Sequence, residues 1–136
     1  MKPADEMPAP PPAHDTILRV RYQETDGQRR LHHANYLTYF EVGRTEMLRA
    51  GGATYREFED AGLYLVVSEI HCTYRAPADY DDLLTVRTRL EKAGGASLRH
   101  AYEILRGDTI LADGWSVVVC VDREGRVRRL PEWLRR

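Results

Sequence analysis

Residues 24–49 hold the types and spacing in this chain that could do chemistry: carboxylates in a polar loop, and a helix that opens soon after. Glu24-Thr25-Asp26 ends a polar approach, Gly27-Gln28-Arg29-Arg30-Leu31-His32 intervenes, and His33-Ala34-Asn35-Tyr36 follows. From there Tyr36, Phe40, Gly43, Met47 and Ala50 recur at spacings of four and three, a helical stripe that Gly51-Gly52 ends. A loop carboxylate thus faces a helix that opens about seven residues later. A helix N-terminus offers unpaired N–H donors and a positive field for a polarised carbonyl oxygen. The carboxylate offers a nucleophile or a general base on the other side of that carbon. The pairing suits acyl transfer. Asp is also common as a helix cap or turn residue, but Asp26 is too far from His33 to cap a helix opening there.

The neighbouring polar residues have plainer readings. His32 and His33 are adjacent, so their rings should diverge on any regular element, and nothing nearby completes a metal site. At His33 the backbone matters more than the imidazole. Asn35 should hold the loop by hydrogen bonds or touch substrate, and Tyr36 and Phe40 should line core or pocket. Glu41 and Glu46 fall on the helix, where solvent or an ion pair with Arg44 or Arg49 accounts for them. Glu69 interrupts an apolar strand and is a further carboxylate to place. Arg75, Arg87, Arg89, Arg99, Arg126, Arg128 and Arg129 could meet phosphate, although most read as outward strand charges.

The elements that must position these groups are also legible. Five prolines and few apolar residues make 1–15 a proline-rich disordered tail, ahead of one folded domain over 16–136. Leu18, Val20 and Tyr22 alternate with Arg19 and Arg21, as in a half-buried strand. After the long helix, a short one is expected over Thr54–Ala61. Leu63–Tyr74, Leu84–Leu90, Leu98–Ile104 and Thr109–Asp122 then read as strands. Gly94-Gly95 and Gly107-Asp108 join the later ones, which favours an antiparallel meander. One helix on a five-stranded antiparallel sheet is an α+β architecture. Its open edges predict an oligomer.

The 136 residues suit a single domain. A net charge of −1 gives no footing to nucleic acid or acidic lipid. No apolar run reaches the ~18 residues that span a bilayer, and the acidic, proline-rich start is unlike a signal peptide. Cys72 and Cys120 lack metal spacing and read as buried thiols of a cytoplasmic protein.

The stretch Arg21-Tyr22-Gln23-Glu24-Thr25-Asp26, then His32-His33-Ala34-Asn35-Tyr36-Leu37, Phe40-Glu41 and Arg44-Thr45-Glu46, resembles the 4-hydroxybenzoyl-CoA thioesterase family. Val66-Val67-Ser68-Glu69, Tyr74–Leu83, Tyr102-Glu103-Ile104 and Arg128–Glu132 agree in order and spacing, so the resemblance runs from about residue 16 to 134. It implies the hotdog fold, a long central helix wrapped by a five-stranded antiparallel sheet. It also implies dimers joined edge to edge, usually paired into tetramers, with active sites at the dimer interface. By that resemblance Asp26 is the catalytic carboxylate and the His33 backbone N–H polarises the thioester carbonyl. A related branch of the fold uses a glutamate, which makes Glu69 the reserve carboxylate. Tyr36, Asn35, Arg29 and Glu69 would border the substrate, an acyl-CoA or acyl carrier protein thioester. Coenzyme A enters only as part of that substrate, with no cofactor or metal.

One position departs from the family. The loop usually reads Asp-x-x-Gly, and here Arg29 stands in the glycine position, with Gly27 two residues early. Glycine serves where φ is positive or where a ligand approaches the backbone closely. Arg29 therefore either redirects the loop or narrows the site. Two other functions stand as alternatives: a hotdog hydratase or dehydratase, which resembles an Asp and His pair on a shorter spacing than Asp26 to His33, and a non-catalytic acyl-thioester binding protein, to which Arg29 in the glycine position points.

Overall fold

The computed structural model describes residues 7–135, and of the expected tail residues 1–6 lie outside it. The first strand, β1, is Ala13–Arg19 and starts earlier than the alternation suggests. Its pairing with the later strand Leu83–Ala93 (β3) runs from Ala13↔Arg89 to Arg19↔Leu83 and recruits Ala13, His14 and Asp15. Upstream, Met7 is only 2% exposed and packs in a cluster with Leu48, Ala53, Phe58 and Trp133. So 7–12 lies against the body instead of trailing in solvent, because Met7 brings an apolar anchor that the proline content obscures.

The long helix α1 spans Ala34–Ala50 and the short helix α2 spans Tyr55–Asp60. Thr54 caps α2, its side chain accepting from the Glu57 N–H. The remaining strands are β2 (Leu63–Tyr74), β4 (Ser97–Arg106) and β5 (Thr109–Asp122). All five form one antiparallel sheet in the order β1-β3-β4-β5-β2.

Strands β3, β4 and β5 make the meander that the glycine turns predict. β2 does not join it as the sequence-adjacent neighbour of β3. It pairs with β5 at the far edge, and the link 75–82 crosses the molecule. That link has no tight turn to fold β2 onto β3. It pairs instead with the polar loop before α1: Arg30 bridges Asp79, the Leu31 N–H donates to the Ala78 carbonyl at 2.8 Å, and the Tyr80 N–H to the Arg29 carbonyl at 3.0 Å.

Helix α1 lies across the sheet. Tyr36, Tyr39, Phe40, Gly43, Met47 and Leu48 are buried, whereas Ala50, the last position of the expected stripe, is exposed. Phe40 stacks on Tyr102 of β4 with centroids 4.4 Å apart. Gly43 lets the side chains of β3 approach the helix closely. A Cβ there would stand 2.8 Å from Val86 Cγ1 and would collide with the Thr88 hydroxyl. The edge strand β2 leaves Val66, Val67, Ile70 and Tyr74 exposed.

Candidate active site

The loop between β1 and α1 is a small hairpin. Thr25 bridges Leu31, the Asp26 N–H donates to the Arg30 carbonyl at 2.8 Å, and the His32 N–H to the Glu24 carbonyl at 2.9 Å. Asp26 closes its tip. Its Oδ1 accepts from the backbone N–H of Gln28 at 2.8 Å and of Arg30 at 3.3 Å. This is an Asx-type turn, and it anchors one carboxylate oxygen while Oδ2 makes no such contact among the described residues, on an exposed side chain.

Arg29 takes up the backbone conformation that glycine usually supplies. Its φ is +65°, in the left-handed region. A side chain there carries the strain of the left-handed conformation. The guanidinium lies over the Tyr80 ring, 5.9 Å from its centroid. Tyr80 in turn meets Tyr22 edge-on at 5.4 Å.

His33 is the first residue outside α1 and already has helical φ and ψ. Its own N–H donates to nothing among the described residues, while its carbonyl accepts from the Tyr74 hydroxyl at 2.9 Å. The cap comes from its neighbour: His32 Nδ1 accepts from the Ala34 N–H at 3.1 Å. The two imidazoles do not diverge. They stack at 4.3 Å, since neither sits on a regular element: His32 lies outside any element and His33 at the turn into the helix.

Glu24 is the residue the sequence left unmarked. It is 8% exposed. Its Oε1 accepts from the Arg21 N–H at 2.9 Å and from the Tyr39 hydroxyl at 2.8 Å, and its Oε2 from the Arg21 guanidinium at 3.2 Å. Its carbonyl accepts from the His32 N–H and from Asn35 Nδ2, both at 2.9 Å. Glu24 thereby ties both limbs of the hairpin to the first turns of α1. Burial pushes its carboxyl pKa up, but the hydrogen bonds from Arg21 and Tyr39 outweigh that, and the pKa is lowered. The same Tyr39 hydroxyl is pushed far up by burial and by its acceptor Glu24. The available signal was the Arg21 to Glu24 spacing, which forms a capping box around the turn Tyr22–Glu24.

The structure brings Asp26, Arg29 and His33 onto one hairpin and helix end. Asn35 joins them as a brace, one N–H of its amide donating to the Glu24 carbonyl. Tyr36 is drawn into the core at 3% exposure, with its hydroxyl 3.4 Å from the Ala78 N–H. Glu69 stands apart. It is exposed beside the β2 bulge, about 16 Å along the strand from Tyr74, the β2 residue that touches His33 (~3.3 Å per residue). Most of the arginines considered for phosphate are paired: Arg75 with Asp113, Arg87 with Asp15, Arg89 and Arg99 with Glu91, and Arg128 with Asp122. Glu46 pairs with Arg49. Both cysteines are free thiols.

Comparison with known proteins gives these features a context. The family model described as "Thioesterase-like superfamily" matches residues 20–136. A putative esterase from Aquifex aeolicus is 33% identical over 114 residues, covering 84% of this chain and 88% of that protein. The acyl-CoA thioester hydrolase YbgC of Escherichia coli is 34% identical over 106 residues, 77% of this chain and 79% of its own. Among solved structures, a probable thioesterase from Bartonella henselae superposes with a TM-score of 0.84 at 33% identity, covering 88% of this chain and 99% of that one.

Proposed function

Because the chain belongs to the thioesterase-like superfamily and has the hotdog fold, we propose that it hydrolyses acyl-CoA thioesters between Asp26 and the His33 N–H. The observation that carries the site is the free His33 N–H at the open end of α1, on the same hairpin as a carboxylate with one anchored and one free oxygen. The thioester oxygen takes the N–H and the helix field, and charge developing there is stabilised by about 3–4 kcal/mol per well-placed donor. Asp26 Oδ2 attacks the thioester carbon and the C–S bond breaks, so that the thiolate leaves and takes a proton from water, and a second water opens the mixed anhydride. Alternatively, Asp26 takes a proton from a water that attacks the carbon and expels the thiolate. Either route ends in free acid and thiol and uses only groups of the chain and water. Acyl carrier protein presents the same thioester and is a second carrier for the same chemistry.

The exposed apolar residues along β2 support a dimer joined through that edge, with a dimer of dimers as the full assembly. We place the reaction in the cytoplasm, where coenzyme A thioesters are made and two free thiols persist.

The test is thiol release from a panel of acyl-CoAs by the purified chain, with light scattering on the same sample. Turnover by a dimer or larger species is expected. Turnover by a stable monomer would remove the interface from the site, and no thiol release from any thioester would remove the activity.

A further inference from the structure

The sheet surface beneath α1 is not uniformly apolar. Along β4, Leu98, His100, Tyr102 and Ile104 point inward and are buried, and two of them carry polar groups. Tyr102 is satisfied: its hydroxyl shares a 2.6 Å hydrogen bond with Ser116 Oγ and accepts from Arg44 at 3.1 Å. His100 is not satisfied. It is 4% exposed, and its Nδ1 is sealed from solvent with no hydrogen-bond partner among the described residues. Buried N–H groups without partners are rarer than buried acceptors without them, which places the ring proton on Nε2. Burial, with help from the Arg44 charge, holds the ring's pKa down to about 4, so it is neutral at physiological pH.

His100 also lines a pocket of about 210 Å³ between α1 and the sheet. Met47, Leu48, Leu65 and Leu98 make its walls apolar, and Arg44 and Glu41 border it with opposite charges, so it offers no net charge to a carboxylate. An apolar cavity of about 150 Å³ takes a benzene molecule, so this one has room for roughly eight non-hydrogen atoms. Arg44 lies about 16 Å along α1 from His33, at ~1.5 Å per residue, which is the reach of a medium-length acyl chain.

We propose that this pocket takes the distal part of the acyl group, and that His100 makes it selective for acyl groups bearing a hydroxyl or oxo oxygen over plain hydrocarbon. The inference rests on the thioesterase reading of Asp26 and His33. The Nε2–H donates to the acyl oxygen. A plain chain fills the same space but leaves the ring desolvated and unpaired, and unpaired polar groups of the protein are what discriminates most sharply between such substrates.

The test compares kcat/KM for matched acyl-CoAs whose extended acyl chains cover the ~16 Å from His33 to Arg44, with and without oxygen in the distal half. The wild-type chain should prefer the oxygenated member by about tenfold in its best pair. His100→Phe should erase that preference, and His100→Gln, which keeps a donor, should retain most of it. Preference for the plain chain in every pair, or a preference that survives in His100→Phe, overturns the proposal. A second measurement uses the wild-type chain alone and holds if no thioester is cleaved. The His100 ring signal in a nitrogen-15 NMR spectrum should shift on adding 12-hydroxydodecanoate and stay in place with dodecanoate. An equal response to both overturns the pocket assignment, whereas absent turnover with a selective response overturns only the catalytic reading.

Discussion

The Tyr39 hydroxyl donates a 2.8 Å hydrogen bond to Glu24 Oε1, joining the inner face of α1 to the loop that carries Asp26. Glu24 is 8% exposed, so its charge depends on this bond and on Arg21 for compensation. Tyr39→Phe removes a hydrogen bond to a buried charge, and stability should fall by about 1.5–3 kcal/mol. Turnover should fall with it if the hairpin positions Asp26. Chemical denaturation and kcat on one acyl-CoA check both, and an unchanged stability would mean that Glu24 does not tie the hairpin to α1.

The same carboxylate predicts a pH dependence. Its pKa in the folded chain is lowered from the ordinary value of 4.5. The stability it contributes is therefore present above that ordinary value and is lost as pH falls through the folded value. Glu24→Gln should flatten the acid limb of the stability profile between those two values. A wild-type slope that persists in Glu24→Gln assigns the acid sensitivity to other carboxylates.

Asp26→Asn keeps the Oδ1 acceptor of the turn and removes only charge and basicity. Turnover should fall at least ~100-fold with the fold intact by circular dichroism. Glu69→Gln should stay near wild type, since Glu69 lies far up β2. The reverse pattern would transfer the catalytic role to Glu69.

Arg29 holds a φ of +65° and rests over Tyr80. Arg29→Gly relieves the left-handed strain but loosens the unfolded chain, so stability should rise by no more than about 1 kcal/mol. Removing the side chain also opens the loop beside Asp26. A gain in kcat/KM confined to a bulky aryl-CoA, measured against a short acyl-CoA, marks Arg29 as a gatekeeper. A uniform drop marks it as a loop brace through Tyr80.

Gly43→Ala sets two effects against each other. Helix propensity favours Ala by ~1 kcal/mol, but the added carbon meets Val86 and Thr88 of β3. Overpacking costs about 1–3 kcal/mol, so the variant should be less stable. A stabilised variant would mean that α1 stands farther from the sheet than the structure places it.

Residue types and local spacing determined much of this protein. The α1 stripe, the β2 and β5 boundaries, the glycine turns and the special loop position at Arg29 are short-range features, set by side-chain period and backbone sterics. The resemblance carried by Arg21–Asp26, His32–Leu37 and the later stretches from Val66 to Glu132 sufficed to name fold and family. Tertiary structure decided the rest. Whether β2 lies beside β3 or beside β5 depends on where the link 75–82 finds partners, and those partners are on the hairpin 24–31. Met7 reads as part of a tail until a cluster 40 and more residues away buries it. Glu24 and His100 look like ordinary polar residues in a turn and a strand. Their importance comes from burial, which is fixed by contacts with α1; the local Arg21 to Glu24 spacing marks a turn but not that burial.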